Sequence, residues 1–195
     1  MRRWAGCSDA RPLRAGRTAA HRCRGAAVLL ALCLGGALGP AQAKVFLTQE
    51  EALKLAFPGE AAPERKTAFL TDAQAERARA EAGQPVASRV VTYYELGGVT
   101  AWFDTHVVRT LPETIMVVVE KDGAIRRIDV LSFSEPEDYL PRPRWNQQLH
   151  GRKLDEELSL RRGIRPLTGA TLSARAVVSA SRRILALHRV LVAAP

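Results

Sequence analysis

The hydrophobic pattern of residues 86–133 constrains the fold more than any other stretch. Four runs, 86–95, 99–108, 113–121 and 124–133, are rich in Val, Ile, Thr and aromatic residues. Such residues suit a pleated, half-buried surface. Gly97-Gly98 and Asp122-Gly123 stand between the runs at hairpin spacing, and Leu111-Pro112 separates the middle pair. Glycine in a short connection allows the left-handed turns that match strand twist. Hairpins in series give an antiparallel meander. Arg126, Arg127 and Asp129 in the fourth run imply that one face is wet. The other face must be buried, and its cover has to come from the flanking segments.

Those flanks read as helices. Thr48 with Glu51, and Thr71 with Gln74, form two capping boxes. After the first, Ala52, Leu53, Leu55, Ala56 and Phe57 make an apolar face that ends at Pro58-Gly59. Residues 61–70 are mixed, with an extended piece around 67–70. Residues 73–82 are rich in Ala, Glu and Arg, which predicts a surface helix stopped by Gly83 and Pro85. Beyond the sheet, Pro136, Pro141 and Pro143 exclude regular structure from 134–143. A short helix is expected around Trp145, closed by Gly151. Residues 173–192 carry Ala176, Val177, Ala180, Ile184, Leu187, Val190 and Leu191 at helical spacing, one amphipathic helix with arginines on its other face. The expected class is therefore α+β: an antiparallel sheet of about four or more strands with N-terminal helices and a C-terminal amphipathic helix.

The first 43 residues read as a secretory signal peptide. Seven arginines precede an apolar run at 26–38, Gly39-Pro40 breaks it, and Ala41-Gln42-Ala43 offers a small-residue cleavage site. The apolar run is short for a membrane span, which needs about 20 residues. Residues 44–195 then form a single domain outside the cytoplasm, in the periplasm, with membrane association through a partner as an option. The leader holds seven of the 29 basic and one of the 20 acidic residues, which leaves 22 and 19, a net of +3. That argues against nucleic acid as a partner. Cys7, Cys23 and Cys33 all lie in the leader, so the mature part has no disulfide, thiolate nucleophile or cysteine metal ligand. No spacing among His106, His150 and His188 suggests a metal site.

Thr168-Gly169-Ala170-Thr171-Leu172-Ser173 sits at the mouth of the last helix. A helix start offers free N–H groups and the positive end of its dipole, a setting that favours phosphate. Gly169 and Ala170 leave the approach uncrowded. The plainer reading of the same residues is an ordinary cap, with Thr171 closing the helix and no ligand.

The order of these features resembles the FMN-binding domain family. It runs from an export signal through small helices, antiparallel strands, a Glu135-Pro136 loop ending at Tyr139 and a Trp145…Gly151 segment to Thr168-Gly169-Ala170-Thr171 and a terminal helix. That family includes periplasmic flavin-carrying subunits such as the C subunit of sodium-pumping NADH:quinone oxidoreductase and the G subunit of the Rnf complex. The resemblance covers most of residues 86–192. It implies FMN bound covalently as a phosphoester on Thr171, installed by a FAD:protein FMN transferase with FAD as donor. Thr168 fills the family's Ser/Thr place, and Leu172-Ser173 continues into the helix. The motif acid of the family falls at Arg165 here. Arg165 is either a loss of the transferase signal or a counter-ion for the phosphate.

The resemblance implies an electron carrier or redox-complex subunit rather than an enzyme with its own substrate. Its partners would be the transferase and a membrane redox complex or a cytochrome. Tyr139, Trp145, Trp102 and Leu167 are candidates for the floor under the flavin ring, with Glu135 as a further contact. Thr171 has no base nearby in sequence: His188 lies 17 residues on, about 25 Å along a helix. Self-modification is therefore not expected. The alternative is a cofactor-free exported binding or assembly protein on the same fold. A hydrolase finds no Ser/His/Asp or paired-carboxylate arrangement.

Overall fold

The computed structural model describes residues 43–59 and 61–193. Apart from Ala43, the proposed signal peptide and its three cysteines lie outside the described residues. The elements run β1 (Lys44–Val45), α1 (Gln49–Ala56), β2 (Glu64–Phe69), α2 (Asp72–Ala82), β3 (Val90–Leu96), β4 (Val99–Val107), β5 (Pro112–Val119), β6 (Ile125–Phe133), α3 (Pro143–Asn146) and α4 (Thr171–Leu191). The six strands form one sheet in the order β1-β6-β5-β4-β3-β2, antiparallel at every pairing. The α+β class read from the sequence is the class observed, and the expected meander is the centre of the sheet.

Two strands extend the meander. Residues 44–45, ahead of the first capping box, pair with β6. The mixed segment forms all of β2 and pairs with β3 from Glu64↔Glu95 to Phe69↔Val90. Its polar residues hid it, because an edge strand needs no continuous apolar run. The first run of the meander starts later than its composition suggests, at Val90 of β3. There the Ser88 hydroxyl donates to the Val90 carbonyl at 2.9 Å and accepts from its N–H at 3.0 Å, holding 88–90 as a local turn. Around Pro136 the chain makes one 3-10 turn, Glu137–Tyr139, where the prolines had excluded regular structure.

Both faces of the sheet are covered. Ile115 to Val119 of central β5 are all 0% exposed. Alternate residues therefore feed two cores. On one face Trp102, Ile115 and Val117 pack with Val177, Ile184 and Leu187 of α4. On the other, Ala101, Met116 and Val118 pack with Ala52 and Ala56 of α1 and with Phe57 just after it. The face expected to be wet is partly dry for this reason. Arg127 there is paired with Asp129 at 2.7 Å and donates to the α1 carbonyl of Leu55 at 3.1 Å. Both capping boxes form as read, each worth about 1 kcal/mol. In α2 the alanines Ala78 and Ala82 are the buried residues, and their small size lets α2 lie close against α4.

Polar contacts fix α4 along β4. Arg183 binds Asp104 at 2.7 and 3.2 Å. Buried His188 meets the Thr100 hydroxyl at 3.0 Å, and that oxygen also accepts from the Trp102 indole N–H at 2.8 Å. Between these contacts and the helix start lies His106, bonded to Asp104 at 2.8 Å and to fully buried Glu113 at 3.2 Å. The rigid body of α4 thereby sets where its N-terminus points.

Candidate functional site

The site is built at the start of α4. The approaching loop is clamped through the backbone of Arg165: its carbonyl accepts from the Trp145 indole N–H at 2.9 Å, and its N–H donates to the Gln148 side chain at 3.0 Å. The Arg165 side chain itself is exposed. Gly169 then takes a left-handed conformation, φ 83°, which turns the chain into the helix at no steric cost. Ala170 is the N-cap and supplies no side-chain hydrogen bond. Thr171 is the first helical residue, and its hydroxyl donates back to the Leu167 carbonyl at 3.2 Å. The reading of Thr171 as an ordinary cap is thereby corrected: it lies one residue inside the helix and cannot reach the N–H groups ahead of it. The first intrahelical bond is Ala174 N–H to the Ala170 carbonyl at 3.0 Å, and the N–H groups of 171, 172 and 173 take no partner among the described residues.

A concavity of about 290 Å³ opens at this end, lined by residues 169–173 with Val108, Arg109, Glu135 and Tyr139. Arg109 belongs to the β4–β5 turn. Glu135 holds that turn, one of its oxygens accepting from Thr110 N–H at 2.7 Å, Leu111 N–H at 2.9 Å and the Thr110 hydroxyl at 3.2 Å. The backbone N–H of Thr110, helped by that of Leu111, keeps the Glu135 carboxyl below the usual carboxylate range, overriding its burial. Arg109 makes no ion pair among the described residues. Ser173 is 1% exposed, and its hydroxyl has no partner. The concavity thus gathers a guanidinium, an uncapped helix start and an orphaned hydroxyl, against one carboxylate whose charge is spent on the turn. Its net preference is for an anion.

Comparison with protein-family models, with curated proteins and with solved structures finds no match.

Of the residues read from the sequence, Glu135, Tyr139, Gly169, Ala170, Thr171, Leu172 and Ser173 come together here. Thr168 is exposed beside the site without lining it. Trp145 and Arg165 shape the loop from behind. Trp102 is 2% exposed and stacked on Tyr93 at 4.5 Å between ring centres, so it belongs to the core. Leu167 packs on the same core. Of the four ring-floor candidates, Tyr139 alone lines the concavity. Arg109 was not anticipated. A single arginine in a strand connection carries no spacing signal toward a residue 62 positions later in the chain. A second cleft, of about 390 Å³, opens where β3 and β4 diverge. Its central charges, Asp104 and Arg183, already satisfy each other, so it offers an anion less.

The donor set fits the phosphate end of FMN: Arg109, Ser173 and the residues that carry the free N–H groups line the same concavity. The volume lies near the low end for small-molecule sites, about 300 Å³ and upward. A flavin ring would therefore rest outside, where Tyr139 and Leu172 are 38% and 46% exposed. No basic side chain touches the Thr171 hydroxyl among the described residues, only the Leu167 carbonyl. Among the described residues no group of three His, Cys, Asp or Glu side chains is placed to hold a metal ion. No described helix is long and apolar enough to cross a membrane.

Proposed function

We propose that this protein is an exported electron carrier holding FMN as a phosphoester on Thr171, with the phosphate seated against the start of α4. One observation carries this reading: the helix begins with an exposed threonine and no cap, and its free N–H groups share a concavity with Arg109 and the unpartnered Ser173 hydroxyl. A helix left uncapped forgoes about 1 kcal/mol, and a bound phosphate recovers it. The motif around Thr171 names the ligand, by resemblance, as flavin.

Attachment requires a partner. The Thr171 oxygen forms the new bond to the flavin-side phosphorus of FAD, and the bond from that phosphorus to the bridging oxygen breaks. AMP leaves with the electron pair, and the hydroxyl proton passes to a base of the transferase. Among the described residues none is placed to act as that base: the Thr171 hydroxyl meets only the Leu167 carbonyl, and Glu135 is held ionised by backbone donors and is a weak base. Once attached, FMN supplies one- or two-electron transfer. The residues of this chain then orient it: Arg109 and the helix start hold the phosphate, and Tyr139 and Leu172 offer an apolar surface beside it. The donor and acceptor would be a membrane redox complex or a cytochrome.

The test is co-expression with an active FAD:protein FMN transferase. Flavin fluorescence should survive denaturation, the mass should rise by FMN less water, and Thr171→Ala should abolish both. Absence of an adduct, with a control acceptor labelled in the same cells, sinks the proposal in favour of a cofactor-free binding protein.

A further inference from the structure

β3 and β4 separate while both strands are still running. Their ladder ends at Tyr93↔Trp102, yet β3 reaches back to Val90 and β4 runs on to Val107. The cleft of about 390 Å³ lies in this gap, lined by residues 90–92 of one strand and 103–105 of the other. Strand residues present their backbone groups to alternate sides. The Leu70 N–H donates to the Arg89 carbonyl at 2.8 Å, and the Val108 N–H to the Leu111 carbonyl at 3.1 Å. Arg89 therefore faces β2 and Val108 faces β5, so Val90 and Thr105 face the gap. Val90 is served there by its own neighbour, since the Ser88 hydroxyl bonds both its N–H and its carbonyl. The backbone N–H and carbonyl of Thr105 take no partner among the described residues. Side chains around the gap are apolar. Register sets Phe69 beside Val90, and alternation from Tyr93↔Trp102 puts Val107 on the same face. These three are 75%, 48% and 62% exposed. On the opposite face the cleft meets Val91, Ile184 and Leu187. Its half-buried charges, Asp104 and Arg183, hold each other at 2.7 Å, and Arg65 in its lining is exposed.

We infer that this gap is a strand-addition site, in which an extended peptide segment of a partner protein, apolar at alternate positions, pairs with the free half of β4. An unpaired strand edge is a template for the backbone of another chain. A peptide supplies N–H and C=O groups at the spacing that the Thr105 edge presents. Its alternate side chains fall on the two faces of the sheet. One set joins the exposed row of Phe69, Val90 and Val107, and the other meets Val91, Ile184 and Leu187. The mutual pairing of Asp104 with Arg183 suits a neutral backbone better than an ion. Ser88 satisfies the β3 edge of the free protein with a side chain that can rotate away when a strand arrives. The inference does not rest on the flavin reading, because this cleft shares no lining residue with the helix-start concavity.

The test is selection of a phage-displayed library of random octapeptides on the purified protein, followed by nuclear magnetic resonance with the selected peptides made synthetically. Selected sequences should alternate apolar residues. Their binding should shift the amide signals of residues 90–92 and 103–107, and should slow exchange of the Thr105 amide about tenfold or more. N-methylation of alternate backbone nitrogens of the peptide keeps every side chain and removes one edge of donors. Tried in both phases, it should weaken binding about tenfold or more in at least one of them. Thr105→Pro removes the N–H that faces the gap and spares the bonds to β5, which come from the residues on either side of it. That variant should lose affinity by a similar factor, with its melting temperature as the check on folding; should it not fold, the methylated peptides decide. No peptide enriched above background, signal shifts confined to residues outside the two strand halves, or affinity indifferent to N-methylation in both phases overturns the inference.

Discussion

The hydroxyl of Thr171 donates to the carbonyl of Leu167 at 3.2 Å, so it points back along the chain and leaves the start of α4 open. This contact is exposed, and its loss should cost little. Thr171→Val should change stability by less than about 0.5 kcal/mol, as for a surface substitution. It should abolish flavin labelling, whereas Thr171→Ser retains it. Thermal melts and in-gel fluorescence of denatured protein read the two effects separately.

Arg165 is held by its backbone while its side chain is free. Arg165→Asp places at this position the acid carried by the family that the sequence resembles, and should be neutral for folding, within about 0.5 kcal/mol. If the transferase reads that carboxylate, the initial rate of labelling rises several-fold. An unchanged rate shows that labelling does not depend on an acid at position 165.

His106 makes stability depend on pH. Burial by itself would lower its pKa, but the hydrogen bonds to Asp104 and Glu113, with their charges, lift it to about 8 from 6.5. A group whose folded pKa is raised contributes fully below the unfolded value and is lost as pH rises through the folded one. Stability should therefore fall by about 2 kcal/mol between pH 6 and pH 9. Chemical denaturation across that range measures it. Glu113→Gln should flatten the curve. Asp104 is depressed, since the His106 and Arg183 hydrogen bonds overcome its burial. Its contribution is present at neutral pH and fades in acid, on the opposite limb.

Thr100 joins two buried aromatic groups, accepting from the Trp102 indole and meeting the His188 imidazole. Burial pushes the His188 pKa down, which keeps the ring neutral. Thr100→Val keeps the shape and strands both partners, at about 1–3 kcal/mol for each unpaired group. Thr100→Ser should recover most of that loss in urea unfolding.

Much of this fold was legible because its signals are local. The capping boxes at Thr48 and Thr71 and the turns at Gly97-Gly98 and Asp122-Gly123 act within a few residues and form as read. β1 and β2 were harder to read. Their pairing is with distant strands, Lys44 with Phe133 and Glu64 with Glu95, and neither carries an apolar run. Residue type alone makes Trp102 and Trp145 candidates for a ring floor, and as readily core or cover residues. One is core and the other anchors a loop, because an aromatic side chain is placed by what packs around it.

By itself the sequence determined the α+β class, the central meander, the long terminal helix and the threonine at its mouth. Hydrophobic period, caps and turn residues act over short distances and survive without a tertiary context. Only the tertiary structure decided that Thr171 begins the helix instead of capping it. Only it brought Arg109 and Glu135 to the helix start. Those neighbours come from separate segments whose meeting depends on how β4 and α4 pack, a global arrangement set by burial in the shared core.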